Sequence, residues 1–289
     1  MTKTQKRMLR LMGKRVGRGI NFILKVIACL FFAFPFYWMF VTSFKTNIEA
    51  ISFPPTLWPK DFTIEAYVSI FRELDLGQYL SNSAIIIISI ATIQMIVMIP
   101  AAYAFARMNF RGRDAMFALV LIAFMIPVQI TFVSVYILFA GTTVLGTPIL
   151  KTLLPQIIPF GANAFGIFLL RQNFKQVPEE LVEAARLDGA GELKIIFRVM
   201  LPMAKATIVT IALFSFISHW NSYFWPLVMT SAEELKPITL ALEKLKDVEY
   251  GIVWPILMAG NAILVAPVLL IFLLASKKII QAMAYRGMK

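Results

Sequence analysis

Apolar and charged positions alternate along the chain in long blocks. Six stretches, approximately 26–44, 82–106, 115–140, 152–170, 206–230 and 250–276, hold no Asp, Glu, Lys or Arg, and all 28 basic and 16 acidic residues fall between them. A hydrocarbon core ~30 Å thick is crossed by about 20 residues of helix, so the pattern predicts six transmembrane helices. Several stretches carry proline (Pro35, Pro100, Pro127, Pro155, Pro159, Pro226, Pro255 and Pro267), which bends helices and is commoner in membrane spans than elsewhere. Between the first two stretches, Phe53-Pro54-Pro55-Thr56-Leu57-Trp58-Pro59 is too rich in proline for a helix, and 64–76 has the pattern of a short amphipathic one. Trp38, Trp58, Trp225 and Trp254 suit an interfacial belt on the outer face, with Trp220 deeper.

Composition agrees with the blocks. Of 289 residues, 59% are hydrophobic and 15% charged, against roughly 45–50% and ~25% for soluble domains. A net charge of +12 would suggest nucleic acid in a soluble chain; here its distribution gives orientation. With the N-terminus cytoplasmic, segments 1–25, 107–114, 171–205 and 277–289 lie inside with 21 basic and 6 acidic residues. Segments 45–81, 141–151 and 231–249 lie outside with 7 basic and 10 acidic. The positive-inside rule therefore predicts that both termini are cytoplasmic. The first 25 residues carry eight Lys or Arg and lead into an apolar run without a small-x-small cleavage site, which reads as an uncleaved first span. The organisation that follows is a basic segment 1–25, a first span with its outer loop 26–81, a five-span core 82–276 and a cytoplasmic tail 277–289.

Chemistry is sparse. Cys29 is the sole cysteine and His219 the sole histidine, so disulfides, metal clusters and a Ser-His-Asp set are not expected. The Gly13-Lys14 pair is followed by Arg15 rather than Ser or Thr, so there is no phosphate-binding loop. No enzymatic activity and no cofactor are expected. A secondary transporter would need intramembrane carboxylates or broken helices as coupling-ion sites, and the stretches contain no acid.

The long inside segment 171–205 is the most informative. Pro178 suits the first turn of a helix, Glu179 and Glu180 complement its dipole, and Gly189 can close it in the left-handed conformation. A helix over 178–188, a second over 191–200, and entry to the fifth span at Pro202 make a compact knob. Leu181, Ala184 and Ala185 share one face, the alanines permitting close approach. Five acidic residues against six basic ones favour protein docking over a membrane-surface hairpin.

This loop resembles that of the permeases of bacterial binding-protein-dependent ATP-binding-cassette importers. Their signature is Glu-Ala-Ala, three residues, Gly, nine residues, then Ile-x-Leu-Pro; Glu183-Ala184-Ala185, Gly189 and Val199-Met200-Leu201-Pro202 match at that spacing, with Val for Ile. The resemblance implies an all-α, type I (MetI-like) permease fold in a bacterial plasma membrane. It also implies a coupling helix seated on an ATP-binding subunit, through Glu183, Ala184, Ala185, Leu187, Asp188, Gly189, Leu201 and Pro202. Further likeness to the carbohydrate-uptake branch, the maltose-type second permease, lies in Pro54-Pro55-Thr56-Leu57-Trp58-Pro59, Asn82-Ser83, Tyr103-Ala104-Phe105-Ala106, Met125-Ile126-Pro127, Trp220-Asn221, Trp225-Pro226-Leu227 and Gly260. It implies a heterodimer with a second permease, two ATP-binding subunits and an extracytoplasmic sugar-binding protein. Type I permeases for peptides, amino acids or polyol phosphates share the loop.

Polar residues inside the apolar stretches are the candidates for a solute path: Gln94, Gln129, Asn163, Ser218, His219, Asn221 and Asn261. Asn221 and Asn261 fall at similar depths, ~12–14 Å from the outer ends of their spans. With Ser218, Trp220 and Tyr223 they form a sugar-like set of amides and aromatic faces. The alternative is interhelical hydrogen bonding.

Overall fold

A computed structural model describes residues 3–245 and 252–284, and the side chains of 17–245 and 252–274. The described residues are mostly helical; their sheet is one hairpin, β1 (Thr143–Val144) with β2 (Thr147–Pro148). The chain forms two compact units, Met1–Glu73 with Leu245–Ile263, and Leu74–Lys244 with Leu264–Lys289.

In the first unit, α1 (Lys3–Ser43) is one helix of 41 residues, so the basic segment continues directly into the first span. Its apolar stretch Gly17–Ser43 is long enough to cross a membrane and leaves its most apolar window unburied, as a lipid-facing surface would. The outer loop folds back through α2 (Asn47–Ile51) and ends in α3 (Glu65–Glu73). Lys45 donates to the Thr56 carbonyl at 2.5 Å and lies 4.6 Å from the Trp38 ring centre, and Glu49 accepts from the Thr56 hydroxyl at 2.6 Å. The proline-rich run is thereby pinned without secondary structure of its own. The expected helix 64–76 stops at Glu73, because Asp75 caps a new helix by accepting from the Gln78 amide at 3.1 Å.

The second unit begins with that helix, α4 (Leu76–Arg107), 32 residues and the only long uninterrupted span it holds entire among the described residues. Then follow α5 (Arg113–Met125), α6 (Val128–Ala140), α7 (Leu154–Ile157), α8 (Ala164–Lys175), α9 (Glu179–Leu187), α10 (Glu192–Ile195), α11 (Leu201–Met203), α12 (Lys205–Trp220), α13 (Phe224–Met229) and α14 (Ile238–Ala241). The last helix, α15 (Trp254–Ala284), is shared by the two units and supplies a third uninterrupted span, Trp254–Leu274.

The six apolar stretches are therefore not six straight helices: among the described residues three helices are long and apolar enough to cross, or up to five spans if bent pairs are joined. The stretch 115–140 is α5 and α6 meeting at 91° at Ile126-Pro127. Pro127 has no N–H, and the ring holds Ile126 at extended φ −77°, ψ 116°. The stretch 152–170 is two short turns followed by α8, broken at Pro159, Gly161 and Asn163. The stretch 206–230 stops at Trp220 and restarts at Phe224. Hydropathy sees none of this, because broken and unbroken helices have the same composition.

Breaks inside a bilayer are tolerated where other donors reach the freed carbonyls. Pro159 cannot serve the Pro155 carbonyl, and the buried Trp225 indole N–H does so at 2.9 Å. The Gln94 amide, buried in α4, donates to the Phe160 carbonyl at 2.8 Å, and Asn163 caps α8 by accepting from the Gly166 amide at 2.8 Å. The main core lies where α4, α8 and α12 pack beneath the loop 171–205: Met98, Ala102 and Tyr103, Leu170 and Phe174, Val182, Ile195, Met200 and Ile211. The helices approach closely at Gly166, where an added Cβ would stand 2.3 Å from the Met98 sulfur and 3.3 Å from Ile211. A segment over 231–244 is strapped to the start of α4. Gln78 and Asn82 both donate to the Glu234 carbonyl, at 2.9 and 2.8 Å, Ser83 accepts from the Ile238 amide at 2.9 Å, and Lys244 donates to Tyr79 at 3.1 Å.

Two outcomes follow from this packing. Gly166→Val should overpack a site with no slack and destabilise the unit by about 1–3 kcal/mol, seen as a lower melting temperature in detergent, whereas Gly17→Ala, in open space within α1, should not lower it. In the strap, hydrogen bonds from Lys236 and then Lys244 hold the Glu233 carboxyl below its ordinary 4.5. A lowered carboxyl pKa stabilises above the ordinary value and loses that contribution as pH falls through the lowered one. Protection of the amides over 233–242 from hydrogen exchange, taken relative to the intrinsic rate at each pH, should be high at pH 7, fall below about pH 4.5, and in Glu233→Gln be low at both.

Candidate functional site

The knob predicted from 171–205 forms, with shifted boundaries. Pro178, at φ −55° and ψ 135°, stands ahead of α9 rather than inside it, so the first helix is Glu179–Leu187 instead of 178–188. Glu179 and Glu180 occupy its first turn, where they offset the helix dipole. Gly189 takes φ +73°; its amide bonds to the Arg186 carbonyl at 2.9 Å and the Ala190 amide to the Ala185 carbonyl at 3.0 Å. That pair of bonds is the Schellman closure, which needs a residue at ease in the left-handed region.

The second helix runs further than 191–200. After α10, Ile196–Met200 is a π-helical turn in which the Leu201 amide reaches the Ile196 carbonyl, and α11 continues to Met203. The wider turn is the local response to Pro202, whose ring would collide with the carbonyl four residues back in a regular helix. Entry to α12 is consequently not at Pro202: the 82° bend comes after it, at Ala204 (φ −92°, ψ 4°).

Val182 has no exposed surface and plugs α9 into the core beside Ile195, Met200 and Phe174. The expected face of Leu181, Ala184 and Ala185 is split by this rotation. Ala185 leans toward the core, while Leu181 and Ala184 stay exposed. Glu183, Asp188, Gly189 and Pro202 are exposed, Leu187 is 89% exposed, and Leu201 is half-buried. Leu193 and Phe197 add to an outward apolar surface. Three leucines, Leu181, Leu187 and Leu193, and Phe197 thus stand bare on a firmly held knob.

Side chains at the end of α4 and at the start of the loop hold it, and sequence reasoning gave them no role. Arg107, the last residue of α4, donates to the Phe174 carbonyl at 2.8 Å, to the Val177 carbonyl, and to the Glu179 carboxylate. Phe174 is the residue whose carbonyl Pro178 cannot serve. Tyr103, one turn earlier and buried, donates to Glu192, which also pairs with Arg186 at 3.3 Å. Arg171 lies 3.8 Å from the Phe117 ring centre and donates to the Phe105 carbonyl at 3.1 Å. The one signal available was Arg107 standing as the first cation after the Tyr103-Ala104-Phe105-Ala106 motif.

The polar candidates divide. Gln94 and Asn163 are spent on backbone groups at the broken helix, and His219 rests against the Phe160 ring, 4.8 Å between centres. Trp220 is buried, stacks on Phe216 and donates to the Leu264 carbonyl at 2.9 Å. Ser218, Asn221 and Tyr223 are exposed around the break between α12 and α13, where Asn221 donates its amide to the Ile217 carbonyl at 2.9 Å. Asn261 is half-buried in the first unit. A narrow recess beside the break is lined by Ser83, Gln156, Phe160, His219, Ser222 and Trp225. Among the described residues no three His, Cys, Asp or Glu are grouped as metal ligands.

Comparison with known proteins places this geometry. The diacetylchitobiose uptake system permease protein DasC of Streptomyces coelicolor is 28% identical over 275 residues, covering 94% of this chain and 98% of that protein. The sn-glycerol-3-phosphate transport system permease protein UgpE of Brucella abortus is 28% identical over 270 residues, covering 91% and 94%. A crystal structure of a bacterial ABC transporter involved in the import of the acidic polysaccharide alginate contains a chain with a TM-score of 0.80 and 25% identity, covering 92% of this chain and 97% of that one. The model of the family described as binding-protein-dependent transport system inner membrane component matches residues 98–285, which include α4 from Met98, the knob and the broken spans. The chain belongs to that family, as a non-catalytic, multi-pass membrane permease of an ABC importer.

Proposed function

We propose that this permease moves a neutral sugar or oligosaccharide, delivered by an extracytoplasmic binding protein, and that the loop 178–203 receives the motion from an ATP-binding subunit. The observation that carries the second part is the knob: closed by Gly189, held from behind, and apolar on its outer side at Leu181, Leu187, Leu193 and Phe197. Glu183, Ala184, Ala185, Leu187, Asp188 and Gly189 supply the contact, and Leu201 and Pro202 the link to α12. In this reading a second permease completes the path as a heterodimer, with two ATP-binding subunits below. The chain crosses a bacterial plasma membrane six times with both termini cytoplasmic, as the +15 against −3 charge bias supports. Rigid-body switching of the packed helices then alternates access.

Sugar as cargo is supported by the relatives that carry diacetylchitobiose and alginate in their names. A polyol phosphate is the second reading, from the sn-glycerol-3-phosphate permeases. The apolar stretches offer no Lys or Arg to a phosphate, which favours a hydroxyl-rich neutral solute. Ser218, Asn221 and Tyr223, with Trp220 fixed behind them, and Asn261 are assigned to the path.

Two measurements test this. Leu187→Asp, at a position with no internal neighbour to lose, should leave the melting temperature unchanged and lower retention of the ATP-binding subunit on purification by about ten-fold or more, the ~1.4 kcal/mol of a modest interface anchor; unchanged retention would contradict the docking surface. Asn221→Ala with Asn261→Ala should cut uptake of the sugar that the cognate binding protein binds, by about five-fold or more, with the ATP-binding subunit retained; unchanged uptake would remove these residues from the path.

A further inference from the structure

We propose that Tyr103 and Arg107 form a latch that makes the cytoplasmic end of α4 carry the knob's motion into the membrane. This rests on the docking reading above and adds to it a route that the chain's connectivity does not suggest. By sequence the knob is continuous with α12. The join to α12, however, is the 82° bend at Ala204, a single residue outside regular helix geometry, preceded by a π turn. A bend of that kind is a hinge rather than a lever.

The fastening to α4 is of a different kind. Arg107 and Tyr103 are four residues apart, so they lie on one face of the helix. Arg107, with a side chain only 8% exposed, bridges the last turn of α8 and the first turn of α9 through the Phe174 and Val177 carbonyls and Glu179. Tyr103, 1% exposed, holds Glu192 on the second knob helix, and Glu192 holds Arg186 on the first. One α4 face therefore grips both helices of the knob. Between the two grips, Val182, Ile195 and Met200 share a core with Met98 and Ala102 of α4, which leaves no room for the parts to slide. A push on the outer surface at Leu187 moves α4 with it.

Tyr103 and Arg107 are positioning residues: they touch neither solute nor nucleotide. The test uses the transporter assembled with its ATP-binding subunits and binding protein in proteoliposomes, reading solute moved per ATP hydrolysed. Tyr103→Phe keeps the ring and removes the hydroxyl; Glu192→Ala removes its acceptor; Glu192→Gln keeps an acceptor oxygen. Tyr103→Phe should lower the ratio by about five-fold and Glu192→Ala, which also releases Arg186, at least as far, with the double variant no lower than Glu192→Ala alone, since Tyr103→Phe removes a bond that Glu192→Ala has already removed. Glu192→Gln should stay near the unmodified protein, and the ATP-binding subunit should remain bound in all. Arg107→Lys, which keeps the charge but cannot span three acceptors, should show the same uncoupling if Tyr103→Phe proves too unstable to assemble. Ratios within two-fold of the unmodified protein, losses that add in the double variant, or loss of the ATP-binding subunit from these variants would each overturn the latch. Failure of the unmodified chain to retain ATP-binding subunits at all would instead overturn the docking reading, and the latch with it.

Discussion

A backbone carbonyl left without a donor in hydrocarbon costs several kcal/mol, and much of this structure is arranged around that constraint. Its spans are broken at Pro127, at Pro159 to Asn163 and at Asn221 to Tyr223, and each break frees carbonyls that the regular helix would have used. Side chains from neighbouring elements take up two of them: Trp225 for Pro155 and Gln94 for Phe160. At the Arg107 end of α4 a charged donor ties elements in a similar way, Arg107 donating to the Phe174 carbonyl, which also accepts from the Val177 amide. Each such bond ties two elements at a fixed point, so the breaks that would loosen a bundle also determine how its pieces register.

From this follows the division of labour in the second unit. At the Leu76 end of α4 the strap over 231–244 is tied to it by Gln78, Tyr79, Asn82 and Ser83. At the Arg107 end the knob is tied to it by Tyr103 and Arg107. The unbroken α4 thus carries fixed attachments at both ends, while the elements that bend meet across short breaks, α5 and α6 at Ile126-Pro127 and α11 and α12 at Ala204. A transporter that must change shape without losing its interior hydrogen bonds gains from having one rigid member and several hinged ones.

Much of this was legible in the residues, and the remainder was hidden for physical reasons. Charge-free blocks located the apolar stretches, and Gly189 with Glu183-Ala184-Ala185 located the knob and its left-handed closure, because those signals are local. Whether a proline kinks a span or ends it depends on which neighbour can reach the freed carbonyl, which is a tertiary matter; hence 115–140 and 152–170 looked like continuous helices. The same ignorance affected Gln94, Asn163 and Trp220. As polar or amphipathic residues at depth they suggested a solute path, yet each is engaged by the protein itself. Leu181, Ala184 and Ala185 were set on one face by spacing alone, but Val182 was free to choose the buried direction and turned Ala185 inward.

The central claim is that the knob is a fixed body whose outward side meets another protein. A photoreactive amino acid placed at Leu187, and in a separate variant at Val182, tests it within the assembled transporter. Crosslinking to the ATP-binding subunit from 187, and only to residues of this chain from 182, is the expected result. Crosslinking to that subunit from both positions, or from neither, would contradict it.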